Sequence, residues 1–285
     1  MLSTRADNMQ SSNFKAWCQD LRTSGHTLGE ISRITKRPKT TVYFHVKAIP
    51  KTDRLLKKIK KIWADSIKGK GPQKGKSLLG YKYKKFSRWT PLTVNLVAHT
   101  LFDGSLKRGG VIYYNRSQIL INNFKSKMAS IYNGKPKIYV NNGVIRLVYN
   151  NVELTTFFKK RSKELLSRIL KLPPNLQRQF LIAFFDDEGS VDFRLNSMKR
   201  RIKGYQHDLD ILNLVQELLK NFKINSYVDG RFNEIMITQK ENIKKFAEEI
   251  NFSKGLRVNG NRSNSVWKKS LEKRKILANL LASYH

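Results

Sequence analysis

The chain has 285 residues, of which 56 are Lys or Arg and 21 are Asp or Glu, so its formal charge is +35 at pH 7. This excess indicates a polyanionic partner, with nucleic acid favoured over a membrane surface. The sequence has no apolar run long enough to span a bilayer, no N-terminal pattern typical of a secretory signal and a single cysteine, which excludes intrachain disulfides and cysteine-based zinc sites. We therefore expect an intracellular, DNA-associated protein of the cytoplasm, nucleoid or an organelle.

Residues 1–50 are predicted to form a small all-α domain. Thr27, followed by Glu30, is a capping-box pattern that begins its second helix. A turn then leads to a third helix at 42–49. This order resembles a helix-turn-helix of the resolvase and transposase type, and a plain three-helix bundle with a basic face is the alternative. The resemblance implies that DNA is contacted by Lys39, Thr40, Thr41, Tyr43 and Phe44.

Residues 51–85 are predicted to be a basic linker. They are rich in Lys and Arg and begin with a short helix that contains Leu55 and Ile59. Glycine and lysine then alternate over 68–76, a composition that disfavours regular structure. The linker is either a solvated charged segment or a tether that gains DNA affinity by releasing counterions.

Residues 86–174 and 175–285 are predicted to be two repeats with the order helix, two strands, helix, two strands, helix. In the first, strands are expected at 111–114, 137–140 and 144–149, a hairpin turn at 107–110 and helices at 117–132 and 152–170. In the second, helices are expected at 175–187, 208–222 and 240–250 and strands at 190–195, 200–206, 225–230 and 234–238. A loop at 259–265 and a last helix at 266–282 follow.

Two apolar nonapeptides, Leu96–Gly104 and Leu181–Gly189, stand at corresponding places in the repeats. Each ends in a carboxylate followed by Gly and Ser, Asp103 in the first and Glu188 in the second. A carboxylate at a helix C-terminus interacts unfavourably with the helix dipole. Two such carboxylates at matched positions therefore indicate a functional role. If the two helices pack together, the acids meet at one end. In so basic a chain, this pattern predicts a metal-dependent nuclease centre.

These residues resemble the LAGLIDADG homing endonuclease family in its single-chain, two-motif form, over residues 86–285. The resemblance implies an α+β fold with two pseudo-symmetric αββαββα repeats, whose saddle-shaped antiparallel sheets lie in the DNA major groove. Ala98 and Ala183 stand at the helix interface where the family usually has Gly. Phe102 and Asp187 occupy the seventh motif position, which is normally small.

Phosphodiester hydrolysis needs an attacking water, charge stabilisation at phosphorus and help for the leaving oxygen, which divalent cations between two acids supply. Oxygen ligands favour Mg²⁺, with Mn²⁺ expected to substitute for it. Asp103 and Glu188 are the predicted ligands, and Glu188 is chosen over Asp187 because it directly precedes a Gly. The resemblance implies further metal ligation by the backbone carbonyls of Phe102 and Asp187.

The resemblance also implies a polar pair behind each acid, which orients water and steadies the phosphate. The pairs correspond to Asn115 with Arg116 and to Gln206 with His207. Where the family commonly has Lys, this chain has His207. Direct DNA contact is the alternative role for Arg116 and His207.

Base recognition is expected from side chains on the sheet strands, since Arg and Lys read guanine and Asn or Gln reads adenine. A phosphate contact or a plain surface charge is the alternative for each candidate. The candidates in the first half are Lys107, Arg108, Tyr113, Lys137, Tyr139, Asn141 and Arg146. Those in the second half are Arg194, Asn196, Lys199, Arg201, Lys203, Arg231 and Asn233.

The leading hypothesis is a monomeric, site-specific endonuclease that cuts both strands of a long asymmetric DNA target and leaves short 3′ overhangs. An RNA maturase that binds its host intron RNA is the first alternative, because it shares the fold and can retain the acids. A non-catalytic transcription regulator on the same scaffold is the second. The two acid-Gly endings speak against a regulator, which needs no metal.

Overall fold

The computed structural model describes residues 11–67, 82–107, 109–194, 199–258 and 270–284. The chain forms two compact units, Met1–Lys74 and Gly75–His285. Within the described ranges, no helix is both long enough and apolar enough to cross a membrane. The finer division of the chain after residues 50, 85 and 174 stays a prediction.

The first unit consists of short helices around a small core. The helices are α1 (Ser11–Thr23), α2 (Leu28–Thr35), α3 (Lys39–Val46) and α4 (Asp53–Ile67). The buried core residues are Cys18, Ile31, Val42 and Val46. The predicted capping box is confirmed, because the Thr27 side chain accepts from the Glu30 amide and the Glu30 carboxylate accepts from the Thr27 amide.

A short turn joins α2 to α3. Lys36 ends α2 in the left-handed conformation, with φ 51°, and Pro38 precedes α3. One face of α3 is buried through Val42 and Val46. The side chains predicted to contact DNA are all exposed, namely Lys39, Thr40, Thr41, Tyr43 and Phe44. Their contact with DNA stays a prediction.

The first repeat of the second unit follows the predicted order. It contains α5 (Pro91–Phe102), β1 (Gly104–Lys107), β2 (Gly110–Asn115), α6 (Gln118–Ala129), β3 (Lys137–Asn141), β4 (Val144–Asn150) and α7 (Val152–Arg168). Polar N-cap residues set where the helices begin, since Thr90, Ser117 and Asn151 each accept a backbone amide of the first turn.

The second repeat has the same order. It contains α8 (Pro174–Glu188), β5 (Gly189–Arg194), β6 (Lys199–Tyr205), α9 (Leu209–Asn221), β7 (Tyr227–Asp229), β8 (Glu234–Ile237) and α10 (Lys240–Glu249), and α11 (Lys273–Ala282) follows. The predicted loop at 259–265 lies outside the described residues. The predicted start of the last helix is wrong, because Glu272 bridges to Arg257 and accepts from the Gly255 amide, which keeps the segment before α11 out of the helix.

Each repeat forms one four-stranded antiparallel sheet, with strand order β1-β2-β4-β3 in the first and β5-β6-β8-β7 in the second. Gly104 lies opposite Tyr113 in the first sheet, and Gly189 lies opposite Gly204 in the second. The sheets therefore correspond position by position. The predicted class is confirmed: an α+β fold of two pseudo-symmetric αββαββα repeats, preceded by a helical part.

The two motif helices, α5 and α8, pair along buried faces in the core that the repeats share. Ala98 and Ala183 are fully buried on these helices. Phe102 meets the rings of Phe180 and Phe184 edge-on, with ring centroids 5.3 and 5.2 Å apart. The bulky residue at the seventh position of the first motif is thus accommodated in an aromatic cluster.

Candidate metal site and nucleic-acid surface

Both predicted metal ligands lie where a motif helix ends. Asp103 directly follows α5, and Glu188 is the last residue of α8. A Cβ on Gly104 or Gly189 would lie 2.4 or 2.3 Å from a backbone oxygen of the preceding helical turn. Only glycine lets the chain turn from the helix directly into β1 or β5 there. The glycines therefore set the position of the two carboxylates.

A cleft of about 1070 Å³ opens beside the two helix ends. Its walls come from both repeats, from residues 255–258 and from Ser270 and Lys273 at the start of α11. The lining includes Asp103, Asn115, Arg116, Asp187, Glu188, Lys203, Arg257 and Lys273. The structure thus brings the two predicted ligands and the first predicted polar pair to one cavity.

Asp103 is partly buried and is oriented by Asn115. The Asn115 side-chain amide donates to its carboxylate at 2.7 Å. Burial raises the pKa of Asp103 to about 8, and the charge of Asp187 adds to this effect. The Asn115 hydrogen bond and the charge of Lys273 act in the opposite direction.

Glu188 shares this electrostatic setting. Burial raises its pKa to about 8, followed by the charges of Asp103 and Asp187. Among the described residues, no group of three or more His, Cys, Asp or Glu side chains is placed to hold a metal ion by itself. A divalent cation would therefore be held by two carboxylates, with backbone, water or phosphate oxygens completing its coordination. This donor set fits Mg²⁺, which keeps several waters.

Asp187 belongs to the cleft lining, but its side chain is 0% exposed and is held by its own contacts. Its carboxylate shares a 2.7 Å hydrogen bond with His99 Nδ1 and accepts one of 2.8 Å from the Tyr113 hydroxyl. Burial lowers the pKa of His99 to about 4, so the pair is a hydrogen bond between a neutral imidazole and Asp187 rather than an ion pair. The Asp187 carboxylate is thus engaged by His99 and Tyr113, which favours Glu188 as the second metal ligand.

The prediction that Tyr113 contacts DNA is wrong. Tyr113 is fully buried, and its ring stacks on Phe124 with centroids 4.3 Å apart. Side chains two apart on a strand share a face, and Asn115 points to Asp103 in the interior. The strand alternation therefore already required Tyr113 to face inward with Asn115.

Lys273 is a buried cation beside the candidate site that sequence reasoning missed. It is 8% exposed, and its ammonium donates to the backbone oxygens of Gly189 at 2.7 Å and of Asp186 at 3.1 Å. The Asp186 carboxylate accepts from the Ser253 backbone amide and hydroxyl. Nothing in the sequence around Lys273 distinguishes it from the many exposed lysines.

The two predicted polar pairs differ in placement. Asn115 bonds to Asp103, whereas Arg116 donates to the Asn142 carbonyl at 2.6 Å beside the cleft. Gln206 and His207 are not among the residues that line this cleft. The His207 ring instead contacts the Tyr205 hydroxyl. Of the first pair, Asn115 therefore contacts Asp103 and Arg116 lines the same cleft. The second pair lies outside the lining of that cleft.

The outer face of the first sheet carries most of its predicted base-reading residues. Strand registers put Arg146 opposite both Tyr114 and Tyr139, and its guanidinium lies 6.0 and 5.1 Å from their ring centroids. Alternation along the strands places further candidates on this outer face, whereas Tyr113 lies on the inner face. These candidates are Lys107, Lys137 and Asn141. Arg108 lies outside the described residues.

The outer face of the second sheet carries Arg194, Lys199, Arg201 and Lys203. One carboxylate, Asp192, accepts from Nε of Arg194 at 2.9 Å and from Nε of Arg201 at 2.8 Å. Lys203 forms an ion pair with Glu234 on the next strand. Acidic partners on a face predicted to meet DNA were not foreseen.

The remaining candidates of the second half lie at the β7–β8 turn or outside the described residues. Arg231 is 84% exposed and pairs with Asp229 at 3.0 Å. Asn233 takes a left-handed conformation, with φ 52°, and its carbonyl accepts from the Gln206 amide. Asn196 lies outside the described residues. DNA contact by all these residues stays a prediction.

Residues 175–251 match the family model of a LAGLIDADG-like domain. No curated protein matches the chain. The structure of the homing endonuclease I-DmoI in complex with DNA and Mn is similar at 18% identity and a TM-score of 0.43, over 56% of this chain and 96% of that one. Full-length DUF199/WhiA from Thermatoga maritima is similar at 15% identity and a TM-score of 0.48, over 70% of this chain and 62% of that one.

Proposed function

We propose that this chain, whose residues 175–251 match a LAGLIDADG-like domain, is a site-specific endonuclease that hydrolyses both strands of a long asymmetric DNA target. The observation that carries the proposal is the pair of carboxylates at matched helix ends. Asp103 and Glu188 both line one cleft, and burial raises the pKa of each to about 8. A bound cation would stabilise the ionised form of two carboxylates crowded in this way. Acids with strongly shifted pKa values in a cleft are typical of functional sites.

Asp103 and Glu188 are the residues that would hold a divalent cation, Mg²⁺ or Mn²⁺. When bound, such an ion supplies the Lewis acidity for phosphodiester hydrolysis. Asn115 keeps the Asp103 carboxylate in place through its 2.7 Å hydrogen bond. Arg116 lines the same cleft and offers positive charge to a phosphate beside it. The product would be a double-strand break with short 3′ overhangs.

Double-stranded DNA is the proposed partner of both sheet faces and of α3. The charge of +35 favours binding to a polyanion, and the exposed basic side chains of the sheets lie on one face of each. Arg146 and Arg194 are suited to guanine because a guanidinium can pair with O6 and N7 together. Both repeats occur in one chain, so a monomer would cover both halves of the target.

A transcription regulator on the same scaffold is the second candidate, and Lys273 favours it. The buried ammonium already lies against the helix end that carries Glu188, so the acids are partly offset without a metal. The first unit, with the exposed face of α3, would then supply sequence-specific binding. The two candidates differ in whether the bound DNA is cut.

The test selects bound duplexes from a randomised library with EDTA present and then incubates the enriched duplex with MgCl₂. We expect wild type to cut both strands at one position. Asp103→Asn and Glu188→Gln should bind the same duplex within about twofold and lose at least about 100-fold in cleavage rate, as expected when transition-state stabilisation is removed. Tight binding by wild type without cleavage in Mg²⁺ or Mn²⁺ would favour the regulator.

A further inference from the structure

Lys273 is anchored so that its ammonium reaches the end of α8. Its backbone amide donates to the Leu256 carbonyl at 2.7 Å, and the preceding residue, Glu272, accepts from the Gly255 amide at 2.6 Å. The side chain then extends to the backbone oxygens of Gly189, Asp186 and Phe185, at 2.7, 3.1 and 3.5 Å. The backbone of Lys273 and the side-chain carboxylate of Glu272 are thus both held by residues 255–256, which fixes where this cation lies.

A buried ammonium is costly unless its three donors are satisfied and its charge is offset. Here the donors meet the backbone oxygens of Phe185 and Asp186, in the last turn of α8, and of Gly189, which directly follows it. The carbonyl groups at a helix C-terminus form its negative end, so a cation is favourable there. The ring of Phe252 lies 5.1 Å from the same nitrogen. Lys273 therefore caps α8 at the turn that carries Asp187 and Glu188.

The charge of Lys273 reaches both predicted metal ligands. It acts against the effect of burial on Asp103, Asp187 and Glu188, lowering the pKa of each. Lys127 differs from Lys273 in this respect. Its ammonium donates to the Asn95 side chain, and its charge is not among those that shift the pKa of Asp103 or Glu188.

We propose that Lys273 is the resident cation of this site: a positioning residue that caps α8 and offsets the charge of Asp103 and Glu188 when no divalent ion is bound. The proposal deepens the proposed function, because it rests on these two acids being metal ligands. A lysine and a divalent ion that offset the same carboxylates are thermodynamically linked. Removing the lysine charge should therefore destabilise the metal-free protein and increase the stabilisation that a metal provides.

The first experiment measures Tm by calorimetry for the full chain without DNA, in EDTA and in 10 mM MgCl₂. The pH is 8.5, because burial raises the pKa of Asp103 and of Glu188 to about 8 and both carboxylates must be ionised. Lys273→Met keeps an unbranched side chain and removes the charge. We expect its Tm in EDTA to fall by at least about 5 °C, since about 1 kcal/mol shifts Tm by 2–4 °C in a domain of this size. Magnesium should then raise its Tm by more than it raises that of wild type. An equal or smaller rise would overturn the proposal.

Two variants separate charge from packing. Lys273→Arg keeps the charge and should retain the wild-type response to magnesium. Lys127→Met removes another partly buried lysine and should lower Tm with no increase in the magnesium response. A magnesium response of Lys127→Met as large as that of Lys273→Met would overturn the specific role of Lys273.

A double variant covers the case in which Lys273→Met alone does not fold. Lys273→Met with Glu188→Gln removes one charge of each sign, so it should be more stable than Lys273→Met in EDTA. If the double variant is no more stable, Lys273 acts through packing alone and the proposal fails. Wild type without any magnesium response would instead count against the proposed metal site, while the rescue by Glu188→Gln would still decide the role of Lys273.

Discussion

At the end of each motif, the position of the carboxylate depends on the glycine that follows it. The backbone of Gly189 passes so close to the last turn of α8 that a Cβ would lie 2.3 Å from the Phe185 carbonyl oxygen. Any larger residue must push β5 away from the helix. Because Glu188 is the residue before, its carboxylate would move with the displaced backbone.

Gly189→Ala should therefore lower the free energy of unfolding by roughly 1–3 kcal/mol, the range for overpacking a well-packed site. Urea denaturation with the slope checked against wild type measures this change. Gly110→Ala is the matched control, because a Cβ there would meet its nearest atoms at an ordinary 3.5 Å. Equal losses in the two variants would show that close approach is not the reason for Gly189.

The raised pKa values predict how stability depends on pH without metal. Asp103 and Glu188 titrate near 8 in the folded protein, against ordinary values of 3.8 and 4.5. The folded state thus keeps protons that the unfolded chain releases. Their stabilising effect is present below the ordinary values and is lost as the pH rises toward 8.

In EDTA, the free energy of unfolding should fall between pH 5 and 8, by at most about 1.4 kcal/mol per pH unit for each carboxyl and by less where solvent screens the open side of the cleft. The double variant Asp103→Asn, Glu188→Gln should show a flatter pH profile over this range. Urea denaturation of both proteins at each pH isolates the two carboxyls from other titrating groups. A profile equally steep in the variant would contradict the assignment.

At the scale of strands and sheets, the two halves present different chemistry at equivalent positions. The row Tyr114, Arg146, Tyr139 of the first sheet corresponds to the row Tyr205, Glu234, Asp229 of the second. Lys107 of β1 likewise corresponds to Asp192 of β5. One half thus holds an arginine between aromatic rings, and the other pairs its basic residues with carboxylates. Two such surfaces suit an asymmetric target.

Asp192 should act on base preference through the arginines it holds. Both bonds use Nε, which leaves the terminal nitrogens of Arg194 to donate to DNA. Asp192→Ala should reduce discrimination at the contacted base pair by about 1–3 kcal/mol, whereas affinity for random DNA should stay equal or rise because a negative charge is removed. Selection from a randomised duplex library measures both quantities.

Asp229→Ala is the control, since Asp229 pairs with the highly exposed Arg231 in the β7–β8 turn. It should change base preference less than Asp192→Ala. An unchanged preference in Asp192→Ala, together with weaker binding to random DNA, would assign Asp192 a structural role only.

The elements of the second unit could be predicted because local signals agree with the final packing. The turn at Asn142 and the N-caps of α6 and α7 lie where the sequence pattern places them. The two failures differ in cause. The inward orientation of Tyr113 follows from strand alternation, although the carboxylate that it contacts is 74 residues away. Lys273 contacts Gly189 at the end of α8, 84 residues away, and local periodicity carries no information about such a contact.

At the scale of the whole molecule, the charge of +35 predicts binding that weakens steeply with salt. The first unit contributes a groove of about 470 Å³ at the α1–α2 turn and α4, lined by His26, Arg54, Lys57, Lys58 and Lys61. Lys58 pairs with Glu30 at 2.9 Å. Among the described residues, Arg54, Lys57 and Lys61 form no ion pair, so their charges are available to phosphates.

Replacing Arg54, Lys57 and Lys61 with Gln should reduce the slope of log K against log salt by up to about 2.7, since each neutralised phosphate contributes about 0.9. Fluorescence anisotropy with one duplex at several salt concentrations measures the slope. The matched control replaces Lys159, Lys160 and Lys163 of α7, which are exposed while α7 packs on the inner face of the first sheet. That variant loses the same charge away from the proposed DNA surfaces, so its slope should change by less than about 1. Equal changes would mean that only net charge matters and that the groove of the first unit does not hold the DNA backbone.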